Sequence, residues 1–209
     1  MKFTKVAISG ISSDSGKTTL MCRLLREFPH WEAIKMTRGH YRSCGKDPHA
    51  CCVSNLLGDQ PLIRSGFQQT YADDKDTGRY WEAGAANVHW VIVTDAQVER
   101  GVQLALARVK APGVLIEGNS FLKFIDVDFS LLVVNVNEHT RIKGSTRWAF
   151  EKASALYTSD PAAALHHLKT KYSGDIGKRE IPVYAAGEFS KLLARVQRVH
   201  ELRTGMLGH

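Results

Sequence analysis

One stretch constrains this chain more than any other: Gly10-Ile11-Ser12-Ser13-Asp14-Ser15-Gly16-Lys17-Thr18-Thr19. A short apolar run, Val6-Ala7-Ile8-Ser9, precedes it, and an amphipathic run, Leu20 to Phe28, follows. That order reads as strand, glycine-bounded loop and helix, with Pro29 ending the helix. Small residues let a backbone approach a phosphate chain closely, and N–H groups at a helix N-terminus can surround it. The loop ends as a P-loop does, in Gly16-Lys17-Thr18. Lys17 is placed to reach the β- and γ-phosphates, and the Thr18 hydroxyl to ligate Mg²⁺. Ser13, Asp14, Ser15, Gly16 and Thr19 complete the candidate phosphate cradle. The usual spacing puts four residues between the glycines. Here five separate Gly10 from Gly16, and Ile11 stands at the regular glycine position.

Beyond the loop, apolar runs alternate with helical spacing. Trp31–Met36 reads as a second strand. Val88–Thr94, Val114–Ile116 and Phe129–Val136 are near-continuous apolar runs, as strands buried on both faces require. Leu156–Thr158 and Ile181–Ala185 are further strands. Arg79–Ala86, Ala96–Val109, Ala162–Tyr172 and Glu188–Leu202 have helical character. This alternation predicts a P-loop NTPase fold: a three-layer α/β/α sandwich with a mostly parallel sheet. With 209 residues and 44% hydrophobic content, the chain suits a single domain over 1–209. The exception is a flexible insertion expected at about 38–77, where periodicity breaks down apart from a short helix within Ala50–Leu57.

Ligands bind such sheets at the carboxyl ends of the strands. Lys35, Asp95, Glu117, Asn135 and Thr158 all fall there. Glu117, in Leu115-Ile116-Glu117-Gly118, is the leading candidate for Mg²⁺ and catalysis together with Lys17; Asp95 competes for the same place or caps the helix that follows it. Asp76 can join the metal, and Lys35 and Arg79 can face phosphate. Asn135 and Thr158-Ser159-Asp160 are candidates for reading the base, which leaves GTP and ATP both open.

The formal net charge of +7 fits an anionic ligand such as a nucleotide. No Lys/Arg block is long enough to track a nucleic-acid backbone, and no apolar run reaches membrane-spanning length. The first residues read directly into a strand, so the expectation is a cytoplasmic protein with reduced cysteines. Cys22 falls within the first helix and reads as core. His40, Cys44, His49, Cys51 and Cys52 form a second group, which could hold a soft metal although it lacks a CxxC pair.

The order of motifs resembles the molybdopterin-guanine dinucleotide biosynthesis adaptor family, MobB. That family shares Ser15-Gly16-Lys17-Thr18-Thr19-Leu20, a second strand ending in Ile34-Lys35, Lys75-Asp76-Thr77-Gly78-Arg79, Glu82-Ala83-Gly84-Ala85 and a strand ending in Glu117-Gly118. The resemblance implies a P-loop GTP-binding protein, often a homodimer, acting beside the partner enzyme that attaches a nucleotide to molybdenum cofactor. Three features depart from it: the longer loop, Arg38-Gly39-His40-Tyr41-Arg42-Ser43-Cys44 in place of a His-rich segment, and a longer part after Asn135. Two other readings compete: an ATP-dependent small-molecule kinase or ligase resembling dethiobiotin synthetase, and a nucleotide-gated metal-handling protein using the Cys/His loop.

Overall fold

The computed structural model describes residues 2–39, 53–136, 146–171 and 180–205. Strand β1 (Thr4–Gly10) leads through the glycine-bounded loop into α1 (Lys17–Glu27), and β2 (Glu32–Arg38) follows. Next come β3 (Leu62–Ser65), α2 (Phe67–Thr70), α3 (Asp76–Glu82), β4 (Asn87–Val93), α4 (Val98–Leu106), β5 (Gly113–Glu117) and β6 (Phe129–Val133). The last elements are α5 (Thr146–Glu151), β7 (Ala155–Thr158), α6 (Pro161–Lys171), β8 (Val183–Ala185) and α7 (Phe189–Thr204). The strands form one eight-stranded sheet in the order β3-β4-β2-β5-β1-β6-β7-β8. Every pairing is parallel except that of β3 with β4. The architecture is the expected three-layer α/β sandwich with a mostly parallel sheet.

Side-chain alternation along the strands divides the core in two. Val6, Ile8, Ala33, Leu115, Leu131 and Val133 pack under α1, α3 and α7, against Leu20, Leu24, Tyr80 and Leu192. Ala7, Ile34, Val91, Val114, Ile116 and Leu132 pack on the other face under α4, α5 and α6, against Val102, Ala149 and Leu168. Each fully buried Leu of α1 contributes about 1.5–3 kcal/mol of transfer free energy. Ile11, which stands at the regular glycine position, is fully buried in the second core layer. Its N–H reaches the Val133 carbonyl at 3.3 Å. Ile11 therefore anchors the loop in the core.

Part of the stretch read as an insertion carries structure of its own. Ser54–Leu56 is a 3-10 turn where a short helix was expected, and Leu62–Ser65 pairs antiparallel with β4 as the sheet's edge. Four residues between Pro61 and Gly66 give too short a run for periodicity to register.

The edge is tied to the sheet by a buried polar chain. The Ser65 hydroxyl meets His89 Nδ1 at 2.8 Å, and His89 Nε2 meets Glu32 Oε2 at 2.7 Å. Glu32 Oε1 accepts the N–H groups of Lys110 and Ala111 at 3.0 and 3.1 Å. Burial pushes the Glu32 carboxyl up, but the His89 hydrogen bond and the two amides outweigh it and hold the carboxyl below its usual range. A lowered carboxyl pKa contributes stability that is present above the unfolded value of about 4.3 and is lost as pH falls through the lower folded value. Glu32→Gln is expected to cost about 1.5–3 kcal/mol at neutral pH. Thermal melts of both proteins should converge as the pH is taken below about 4.

Candidate functional site

The site forms on the sheet face covered by α1 and α3, because register puts its strand residues there. Lys35 and Glu117 are direct partners in the β2–β5 ladder, and Ile8 pairs with Glu117 across β1. Both side chains point to the face that Ala33 and Leu115 fill deeper in the core. α1 brings Thr18 to that spot, and α3 brings Asp76 and Tyr80, which lie one turn apart on one helical face.

The resulting contacts are dense. The Thr18 hydroxyl lies 2.8 Å from Asp76 Oδ1 and 3.0 Å from Glu117 Oε2. The Lys35 ammonium lies 2.5 Å from Asp76 Oδ2 and also donates to Glu117 Oε1. The Tyr80 hydroxyl donates to Glu117 Oε2. Glu117 is 2% exposed, so these partners stand in for its lost hydration. Burial pulls the Lys35 ammonium down, but the Glu117 and Asp76 charges outweigh it and hold the ammonium above its usual range. Burial pushes Asp76 up, and Lys35, Thr18 and Arg79 together hold it below its usual range. Burial and then the Glu117 charge push the Tyr80 phenol well up, so it remains a donor.

The loop stands beside this cluster. Gly16 caps α1 with a left-handed backbone, φ 88°, which favours glycine. A Cβ on Gly10 would lie 2.1 Å from Ser15 Oγ and 2.9 Å from two carbons of Lys17, so only glycine lets the loop fold back so tightly. Lys17 Nζ donates to the carbonyls of Ser12 and Ser13 at 2.7 and 3.0 Å. Two asparagines brace the loop from outside. Asn119 bonds both the N–H and the carbonyl of Gly10, at 3.1 and 2.8 Å, as a neighbouring strand would. Asn135 Nδ2 donates to the Ser15 carbonyl at 2.9 Å, and its Oδ1 accepts the Ser159 N–H at 2.7 Å.

A cleft of about 590 Å³ opens over these groups. Ser13, Asp14, Gly16, Lys17, Thr18, Thr19, Lys35, Asp76, Arg79 and Glu117 all line it. Ser15 is buried just beneath, its hydroxyl on the Ser12 carbonyl at 3.2 Å. Asp95 lies apart from this group and pairs with Arg38 at 3.1 Å. Asp160 accepts the Ala163 N–H at 3.0 Å, as a cap of α6 does. Cys22 is buried, and burial raises its thiol pKa. His40, Cys44, His49, Cys51 and Cys52 lie outside the described residues. Among the described residues no three His, Cys, Asp or Glu side chains are placed to share a metal. Mg²⁺ asks for less: one or two carboxylates and a hydroxyl, with water for the rest. The oxygens of Thr18, Asp76 and Glu117 fit that donor set.

Tyr80 and Asn119 belong to the site and are absent from the sequence-based candidates. Tyr80 carries a signal, its i+4 spacing from Asp76. Asn119 follows Glu117-Gly118, but its bond to Gly10 depends on β1 lying beside β5.

No helix among the described residues is long and apolar enough to cross a membrane. No family model and no curated protein matches the chain. Among solved structures it is similar to LpxK from Aquifex aeolicus in complex with ATP, at 14% identity and a TM-score of 0.47. The likeness covers 88% of this chain and 53% of that one, so the chain spans about half the length of that protein.

Proposed function

We propose that the protein binds a nucleoside triphosphate with Mg²⁺ and cleaves or transfers its terminal phosphoryl group. One observation carries this reading. The Thr18 hydroxyl, at the foot of a helix that opens from a glycine-bounded loop, lies within hydrogen-bond reach of carboxylates from two other elements. Hard oxygen donors beside a cradle of backbone amides suit a metal bound to phosphate. Mg²⁺ there would neutralise charge on the phosphate oxygens. Lys17 exchanges the neutral carbonyls of Ser12 and Ser13 for phosphate oxygens. Thr18, Asp76 and Glu117 hold the metal. Lys35 and Arg79 face the charge that develops on the transferred group, so catalysis is positioning and charge stabilisation.

The test is titration with fluorescent ATP and GTP analogues in the presence of Mg²⁺. Lys17→Ala is expected to weaken binding by about 10- to 100-fold, the size of a lost charge-assisted hydrogen bond. Unchanged affinity in a variant with a native circular dichroism spectrum refutes the proposal.

The resemblance to the MobB family supports hydrolysis beside a partner enzyme. A second reading, phosphoryl transfer to a small acceptor, is favoured by the extent of the cleft, which continues past the loop along Met36, Thr37, Arg38, Asn119 and Ser120. Under that reading, turnover rises when the acceptor is added.

A further inference from the structure

We infer that Lys35 is a resident cation of the divalent site: its ammonium compensates Asp76 and Glu117 when no metal is present and leaves when metal and triphosphate enter together. This rests on the reading of Thr18, Asp76 and Glu117 as metal ligands.

The geometry is that of a small cation site with an ammonium in it. Lys35 Nζ bridges Asp76 Oδ2 and Glu117 Oε1. The remaining carboxylate oxygens, Asp76 Oδ1 and Glu117 Oε2, both face the single hydroxyl of Thr18. That hydroxyl has one proton and donates to one carboxylate at a time, so it cannot compensate both. Tyr80 serves only Glu117 Oε2. Without Lys35, two carboxylates, one of them 2% exposed, would share a spot with no ion-pair partner among the described residues.

A divalent ion held by Thr18 and the carboxylate oxygens that face it, Asp76 Oδ1 and Glu117 Oε2, would stand within a few ångströms of the Lys35 ammonium on the other two oxygens, and like charges so close repel. Metal entry therefore weakens the Lys35 ion pair, and the repelled ammonium gains from another anion. The cleft that Lys35 lines also holds the phosphate cradle. A triphosphate supplies that anion and a diphosphate supplies it less well. Metal and triphosphate thereby assist each other, and by linkage the assistance is reciprocal. Lys35 is then a positioning residue twice over: it preserves the carboxylates in the empty site and faces phosphate in the loaded one.

The test uses Mn²⁺ as the probe, with no nucleotide present, read by electron paramagnetic resonance. Lys35→Met removes the charge and keeps the apolar stem. It is expected to bind Mn²⁺ tighter than wild type by about 5- to 150-fold, the usual range of coupling between sites. Its thermal midpoint should rise on adding Mn²⁺ far more than that of wild type. Lys35→Arg keeps the charge and should bind Mn²⁺ as weakly as wild type. If Lys35→Met folds only with Mn²⁺, the metal has replaced the ammonium and the inference stands. A Lys35→Met protein that binds Mn²⁺ no tighter than wild type, or stays unfolded with Mn²⁺ present, overturns it. Because nucleotide is absent, failure here leaves the triphosphate reading intact. Failure of wild type to bind ATP or GTP would refute that reading and leave the Mn²⁺ result standing.

Discussion

Under the proposed function, Glu117→Gln is expected to lower turnover of the Mg²⁺–nucleotide complex by about 10²–10³-fold, the cost of removing one preorganised electrostatic group. The side chain keeps its shape, so Tyr80 can still donate to an oxygen. It loses its charge and gains an NH₂ group in the place of one acceptor. If the amide nitrogen faces Lys35, two donors meet. If it faces Tyr80 and Thr18, the hydroxyls lose their acceptor. Asp76 and Thr18 alone would then hold the proposed metal. The fold should survive, because neutralising a buried carboxylate also removes its desolvation cost. Phosphate release measured beside a thermal melt separates the two effects. Wild-type turnover in the variant would place the reaction away from Glu117.

Gly78→Ala should destabilise the protein by about 1–3 kcal/mol, a fall in melting temperature of about 2–12 °C. The sign matters. Inside an ordinary helix the same change helps, since Ala exceeds Gly in helix propensity by about 1 kcal/mol. Here a Cβ would lie 2.1 Å from the Ala72 carbonyl oxygen. That neighbour is backbone and cannot swing aside. α3 must move, and with it Asp76 at its first position and Tyr80 one turn on. The variant should therefore lose the stabilisation by nucleotide and Mg²⁺ that the proposed function predicts for wild type in a thermal-shift titration. A rise in melting temperature would mean that α3 does not pack against Ala72.

The features readable in the sequence were those whose cause is local. Gly10, Gly16, Lys17 and Thr18 announce a phosphate loop because backbone geometry and ligand chemistry restrict those positions directly. The buried parallel strands show as runs such as Val88–Val93 because both faces are covered. Glu117 was legible as a strand-end acid, and Asp76 as a loop acid ahead of a helix expected over Arg79–Ala86; the helix begins at Asp76 itself. What escaped depends on partners far along the chain. Lys35 read as a phosphate-facing cation, yet its register opposite Glu117 gives it carboxylates as neighbours. Asn119 is absent from the sequence-based candidates because its bonds to Gly10 form only with β1 beside β5. Asp160 and Asn135 read as base contacts, and their hydrogen bonds serve a helix end and the loop's own carbonyl. The edge strand β3 has four half-buried residues and no alternation to mark it.

The sheet order also has a kinetic meaning. β1 and its loop are made before both of the strands that flank them, since β1 lies between β5 and β6. Thr4 pairs with Gly113, and Gly10 with Val133. Parallel pairings between such distant segments must close a long loop before they return any contact energy, and folds built on them form slowly. On the ribosome the loop lacks the second of its flanking strands until Val133 has emerged. An element made before both of its neighbours is thus among the last to be organised, and the phosphate affinity proposed for its loop should appear late, with the closing of the central strands.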